Sequence, residues 1–446
     1  MTAMEISARP SLGEATATFA RIGLLSFGGP AGQIALMHRI LVDEKRWLDE
    51  ERFLHALNYC MLLPGPEAMQ LATYAGWLLH CVRGGLISGL LFVLPGALVI
   101  TALSAAYLML GDVTVVQGLL FGLKAAVLAV VVEALMRVSR RALKGPAHVA
   151  IAVAAFVAIA FFGVLFPIIV LAAAALGSAL HFVSGTDRRQ DQRAAGIAAG
   201  ADMPEWTRPS FARFATSLSV WLALWLGPLV LLHLVLGSGN VFAREASFFS
   251  IMAAVTFGGA YAVLAWVAQQ AVEVHGWLMP DEMLTGLGLA ETTPGPLILV
   301  LVFVGFLGAA RLSGLEPLAG GLAGAAVTLW FTFVPCFLWI FVGAPYVETV
   351  RSIGWLASAL AAVTAAVVGI IANLAVWFGL HVLFAEVGEW RAGPLRVPVP
   401  DLASFDALAA LIAVAAGIAL LRFHANMIAV LVGAAVAGMA ARLAFG

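Results

Sequence analysis

The sequence predicts an all-α polytopic membrane protein built from two inverted-topology repeats with broken or re-entrant helices. Three observations carry this: a composition that suits only a bilayer, two motifs repeated at one fixed offset, and an uneven spread of the few charges. Of 446 residues, 62% are hydrophobic and 11% charged, with 24 basic and 25 acidic side chains. Soluble domains carry about 25% charged residues and need polar surface over their cores. A mean hydropathy of +1.01 therefore points to lipid as the solvent. Soluble enzymes, disordered chains, nucleic-acid binders and disulfide-rich secreted proteins are excluded, and a net charge of −1 names no partner.

Apolar stretches run over residues 17–38, 53–82, 86–110, 117–136, 147–163 and 165–183. They resume at 214–236, 247–270, 283–310, 318–343, 353–384, 404–421 and 425–445. Helix is the default in each, since lipid offers no partner to a backbone N–H or C=O. Residues 1–183 and 214–446 form the two repeats, and the polar residues 184–213 form a cytoplasmic linker. Nine charges crowd into 39–52 and nine more into the linker. Cys60, Cys81 and Cys336 are odd in number and sit in apolar stretches, so no disulfide framework is expected. Glu5, Arg9, Pro10 and Glu14 leave no apolar core for a cleaved signal peptide near the start.

Phe27-Gly28-Gly29, Trp47-Leu48 and Pro64-Gly65-Pro66 recur without a gap as Phe257-Gly258-Gly259, Trp277-Leu278 and Pro294-Gly295-Pro296, at an offset of 230. Over the 40 positions from Phe27 to Pro66, 12 are identical, and hydrophobicity alone does not place Gly, Pro and Trp in register. A weaker match joins Val93-Leu94-Pro95 to Phe333-Val334-Pro335. The loop after the first FGG holds Arg39, Lys45, Arg46 and Arg52; the matching residues 271–282 hold Glu273, Asp281 and Glu282 and no Lys or Arg. Basic loops stay cytoplasmic, so equivalent loops prefer opposite sides and the repeats are inverted. Arg137, Arg140, Arg141 and Lys144 then share the cytoplasm with 39–52, which requires an even number of crossings between them. Residues 53–82, broken at Pro64-Gly65-Pro66, are the segment expected to enter and return.

Proline removes a donor and glycine permits turns, so each motif exposes backbone polar groups at membrane depth. Such groups are tolerated only against protein or a wet cavity, where a helix start is a ready anion site. Packing and kinking alone is the blander alternative. Glu67 and Glu291, beside the two PGP breaks, are candidates for proton coupling or for capping a half-helix. Thr292 and Thr293 precede the second break, where a hydroxyl caps the helix or meets an oxyanion. Lys124 and Arg21 are candidates to offset substrate charge, or to snorkel to an interface. Gln33, Gln70, Asn58 and Asn373 either donate to an oxyanion or bridge helices. The nine histidines show no metal-ligand spacing, and no nucleotide, Walker or Ser/His/Asp signature is present, so no metal or cofactor is expected.

Ser26-Phe27-Gly28-Gly29-Pro30 with Gln33-Ile34, Glu44-Lys45-Arg46-Trp47-Leu48 and Leu62-Leu63-Pro64-Gly65-Pro66-Glu67 resemble the first half of the chromate ion transporter family. Thr256-Phe257-Gly258-Gly259, Gly276-Trp277-Leu278 and Ala290-Glu291-Thr292-Thr293-Pro294-Gly295-Pro296 resemble its second half, and the chain looks like the long two-domain form. The resemblance implies export of chromate across the bacterial inner membrane, resistance to chromate and the proton motive force as energy source. It carries over onto Phe27, Gly28, Gly29, Pro30, Pro64, Gly65, Pro66, Phe257, Gly258, Gly259, Pro294, Gly295 and Pro296. Ala260 stands where the first repeat has Pro30, so the two breaks are not equivalent. The expected partners are chromate or a sulfate-like oxyanion, the bilayer and, as one option, a second copy of the chain. A sulfate transporter and a passive anion channel are the alternatives; a membrane-embedded reductase would need a cofactor motif.

Overall fold

The computed structural model describes residues 10–184, 205–257, 260–346 and 353–445. Its first half holds α1 (Leu12–Leu25), α2 (Gly29–His38), α3 (Glu50–Cys60), α4 (Glu67–Leu110), α5 (Thr114–Ala142), α6 (Pro146–Phe162) and α7 (Phe166–Ser184). After α8 (Phe211–Leu236) come α9 (Val241–Val255), α10 (Ala260–Gln269), α11 (Pro280–Thr292), α12 (Val300–Leu312) and α13 (Pro317–Gly343). α14 (Gly354–Leu383), α15 (Ala407–Leu421) and α16 (Met427–Phe445) complete the chain. Seven helices among the described residues are long and apolar enough to cross a membrane. Residues 185–204 of the expected linker lie outside the described residues.

Local chemistry sets the boundaries. Ser11, Asp49, Asn240 and Asp406 cap α1, α3, α9 and α15 by accepting first-turn N–H bonds, and Pro opens α6, α11 and α13. The first FGG break puts Gly28 at φ 85° and Gly29 at 70°, and the PGP breaks put Gly65 at 119° and Gly295 at 90°. These are left-handed values that favour glycine. α4 is itself two helices: His80 and Cys81 leave helical geometry, and the chain doubles back so that Gly84 packs on Gly76 and Gly85 on Thr73.

The short helices pair as hairpins. Lys45 Nζ lies 2.9 Å from Glu14 Oε1, and Arg21 Nη1 lies 3.0 Å from Glu44 Oε2. A straight helical run would separate residues 14 and 45 by about 45 Å, so α1 runs in and α2 runs back with the FGG break at the tip. α11 and α12 repeat the arrangement around the second PGP. Gly286 meets the Phe303 ring, and Glu282 near the start of α11 takes both nitrogens of Arg311 near the end of α12 at 2.6 and 2.8 Å.

Longer helices pack through small residues, as lipid-embedded helices do where backbones approach closely. Gly118 and Gly122 of α5 face Gly438, Met439 and Ala434 of α16, while Gly369 of α14 presses on the Ala152 carbonyl of α6. Among the described residues one β-hairpin interrupts the helical plan: β1 (Val387–Ala392) pairs antiparallel with β2 (Leu395–Pro400) around Gly393 at φ 59°. Adding a side chain at Gly122 must push α16 away. Gly122→Val is therefore expected to cost about 1–3 kcal/mol. Gly433→Ala, with open space around it in the same helix, should not destabilise and should gain up to about 1 kcal/mol. Thermal unfolding of the detergent-solubilised protein reads both.

Candidate functional site

The four breaks meet, each PGP tip seated on the other half's FGG segment. Gly65 N–H donates to the Thr256 carbonyl at 2.8 Å, and Gly295 N–H donates to the Ser26 carbonyl at 2.8 Å. Ser26 and Thr256 are 230 positions apart, as are Gly65 and Gly295, so exchanging the halves exchanges the two bonds. The flanking packing obeys the same exchange. A β-carbon on Gly65 would come within 2.8 Å of Cys336 Sγ, which follows Pro335 in α13. Gly96, which follows Pro95 in α4, is pressed against the Pro294 carbonyl.

Two glutamines clip the junction. Gln33, 1% exposed, donates from Nε2 to the Gly295 carbonyl at 2.6 Å and to the Ser26 carbonyl at 3.3 Å. Gln70 donates to the Pro64 carbonyl at 2.7 Å. Both therefore hold breaks in shape, while their buried Oε1 atoms have no hydrogen-bond partner.

PGP and FGG differ in surroundings. Pro64, Gly65, Pro66, Pro294, Gly295 and Pro296 are buried, whereas Phe27, Gly28, Gly29, Pro30 and Phe257 are only half-buried. Nothing lies within 4 Å of where a β-carbon would stand on Gly28 or Gly29, and no side chain caps the start of α2. The first-turn amides of α2 thus lack both an intrahelical acceptor and a cap. Gly258 and Gly259 lie outside the described residues.

Thr292 and Thr293 donate their hydroxyl protons to the Leu289 and Ala290 carbonyls, each at 2.8 Å, within their own helix. Glu291, 3% exposed, accepts from the Tyr261 hydroxyl at 2.5 Å. Tyr261 is in the first turn of α10, so this bond ties FGG to PGP within the second half. Ala31 and Met61 stand at the matching positions of the first half, which therefore lacks it. Glu67 is half-buried in the first turn of α4. The cationic candidates sit elsewhere. Lys124 pairs with Asp281 at 3.0 Å, beside Arg311, Gln117 and Arg442 in a cavity of 470 Å³. Arg21, 51% exposed, pairs with Glu44.

Residues outside these candidates contribute positive charge. Arg137, Arg140 and Arg141 line a cavity of 250 Å³ with Glu133 and His424. Arg137 bonds to Glu133, and both act electrostatically on Glu291; Arg141 acts on Glu67. Their spacing along one helix face at the end of an apolar stretch was the available signal. Among the described residues, no group of three or more His, Cys, Asp or Glu is placed to hold a metal.

A model of the family described as chromate transporter matches residues 13–178 and 244–439. The chain belongs to this family. It is 27% identical over 415 residues to a probable chromate transport protein of Synechococcus elongatus, covering 90% of this chain and 95% of that one. It is 33% identical over 358 residues to a chromate transport protein of Pseudomonas aeruginosa, covering 80% and 78% of the two chains. A third relative, the chromate transport protein of Cupriavidus metallidurans, is 26% identical, with 79% of each chain covered. No solved structure matches significantly. Family membership makes the chain a transport protein rather than an enzyme, and the apolar helices make it a multi-pass membrane protein.

Removing the junction's clips has a defined cost. Gln33→Leu deprives two buried carbonyls of a donor and should destabilise by about 1–3 kcal/mol. Gly65→Ala, strained by its φ and by Cys336 Sγ, should lose about 1–3 kcal/mol as well. Both are read by thermal unfolding in detergent alongside transport in proteoliposomes, where each variant should also lose flux.

Proposed function

We propose that the protein exports chromate across the bacterial inner membrane, driven by the proton motive force, and thereby confers chromate resistance. The observation that carries this reading is the reciprocal docking of the breaks, which leaves the first FGG helix start uncapped beside open space. Chromate is a tetrahedral dianion. It would be held mostly by backbone amides and helix dipole ends around Phe27, Gly28, Gly29 and Pro30, their second-half counterparts Phe257, Gly258 and Gly259, and the PGP tips. Thr292 and Thr293 would border that site. Glu67 or Glu291 carries the coupled proton, and Lys124 or Arg21 offsets charge along the route. The arginines around Arg137 would gather the anion at one mouth.

We read 1–183 and 214–446 as inverted repeats joined by 184–213. Three features support it. Loop 39–52 holds four Lys or Arg residues where 271–282 holds none, and the break contacts exchange as a twofold axis requires. Asp112, Asp281, Arg311 and Arg442 also share one cavity near the start of α5, while Arg141 and His424 share another near its end. Two returning hairpins, the second of them α3 with the first part of α4, followed by the second part of α4 and by α5 would bring the chain back to the side of 39–52, and α8 would be the crossing that turns the second half over.

Proteoliposomes of known orientation test the function. Chromate should accumulate against its gradient under an imposed proton gradient and stop when a protonophore collapses it. Flux that only runs downhill would make the protein a channel, and preferential uptake of sulfate would change the substrate. Single cysteines at 39–52 should label from the cytoplasm and those at 271–282 from the opposite face; cytoplasmic labelling of both would sink the inversion.

A further inference from the structure

Glu245 lies in the second turn of α9 with its side chain fully buried. Neither carboxylate oxygen has a hydrogen-bond partner. Both the carboxylate and an indole close on Gly308 of α12: a β-carbon there would come within 3.1 Å of Glu245 Oε1 and 2.9 Å of Trp277 Cγ. Trp277 Nε1 is likewise buried without an acceptor. The Phe249 ring centroid lies 6.1 Å from that of Trp277, so an apolar ring borders that indole.

Among the described residues no countercharge faces this carboxyl. α8 carries His233, bonded to Ser247 at 2.7 Å and Ser238 at 3.1 Å, and Arg213, which is near the opposite end of that helix. α12 carries Arg311, whose nitrogens bond to Glu282. α13 carries no Asp, Glu, Lys, Arg or His, and its Cys336 donates to Thr332. In the loop before α11, the His275 ring stacks on Trp277 at 4.4 Å, while Arg244 of α9 is exposed. An ionised carboxylate without donors or countercharge costs several kcal/mol. Buried polar groups left unsatisfied in a native fold call for a functional reason, and an ionisable one at membrane depth is a functional-site candidate by default.

We propose that Glu245 is a binding site for the driving proton. The inference rests on the proton-driven reading above and adds a third carboxyl to Glu67 and Glu291. In the conformation described, the proton is bound and the acid is neutral. Releasing it requires a rearrangement that brings water or a donor such as Trp277 Nε1 to the carboxylate, which links the proton to the transport cycle. Arg311, one turn beyond Gly308, lines the cavity shared with Asp281 and Lys124, giving protons a near approach from that face. At the same offset the first half has Ala15, so this site exists once per chain.

In proteoliposomes of the full chain, E245Q should keep downhill chromate flux but lose its acceleration by an imposed proton gradient. Acceleration equal to that of the unsubstituted protein would overturn the assignment. If the unsubstituted protein itself ignores the gradient, the proton-driven reading falls, and this inference with it. Should E245Q fail to insert, dicyclohexylcarbodiimide on the unsubstituted protein decides, because it attacks protonated carboxyls in apolar surroundings. Mass spectrometry should find Glu245 modified, less so as pH rises; no modification at any pH overturns the proposal.

Discussion

Two backbone hydrogen bonds hold the architecture together, Gly65 N–H to Thr256 and Gly295 N–H to Ser26. A helix broken at membrane depth leaves donors and acceptors that lipid does not satisfy, at several kcal/mol for each one stranded. Here each half supplies what the other lacks. Neither half closes its own PGP tip with these bonds, so the duplicated chain works as one body rather than as two beads. Much else follows from that constraint. Gly65 and Gly295 need left-handed backbone for their N–H groups to reach across. Gly96 must lack a side chain because the Pro294 carbonyl occupies its place, and Gln33 must be amide-bearing because two carbonyls converge on it.

Satisfying the PGP tips leaves the first FGG break as the open element of the junction. α2 begins without a side-chain cap and with space beside Gly28 and Gly29. The breaks divide their labour accordingly, the tight one fixing geometry and the loose one exposing a helix start. The division is uneven between halves. Tyr261 and Glu291 tie the second FGG to its own PGP, while the first half relies on Gln33 reaching across. A proton bound at Glu291 would be felt at one break first, which suits a cycle with unlike inward and outward states.

Most of the fold was legible because lipid enforces it. Every apolar stretch in the sequence became one or two helices, and the splits within 17–38, 53–82, 247–270 and 283–310 fall at or beside the Gly and Pro motifs. Repeated residue types at one offset made the breaks visible before any contact was known. That the breaks converge was expected from the repeat; which bonds join them was not legible, since bonds made by backbone leave no mark on side-chain identity. The sharp turn at His80-Cys81 falls beside the boundary that Arg83-Gly84-Gly85 sets between stretches 53–82 and 86–110, though the turning residues themselves are neither Gly nor Pro. The β-hairpin at 387–400 was read only as a gap between apolar stretches. Lys124 looked like an unpaired intramembrane cation because Asp281, its partner, is 157 residues away. The arginines from Arg137 to Arg141 served as topology markers in the sequence, and only the fold gathers them in one cavity with Glu133 and His424.

The scarcity of charge bears on how a dianion would be handled. A lysine or arginine at the bilayer centre costs about 2.5–3.5 kcal/mol when it has nothing to pair with. That cost would recur in every empty state of the cycle, and a strong ion pair in the loaded state would slow release. A helix start contributes about 0.3–2 kcal/mol to an anion and buries no net charge when vacant. In the proposed mechanism, helix ends at the junction therefore hold the substrate moderately, while arginines remain at a wetter mouth where ionisation is cheap. Lys124, Arg137 and Arg311 each have a carboxylate neighbour. An arriving dianion must compete with those partners, which keeps the mouths attractive without making them traps.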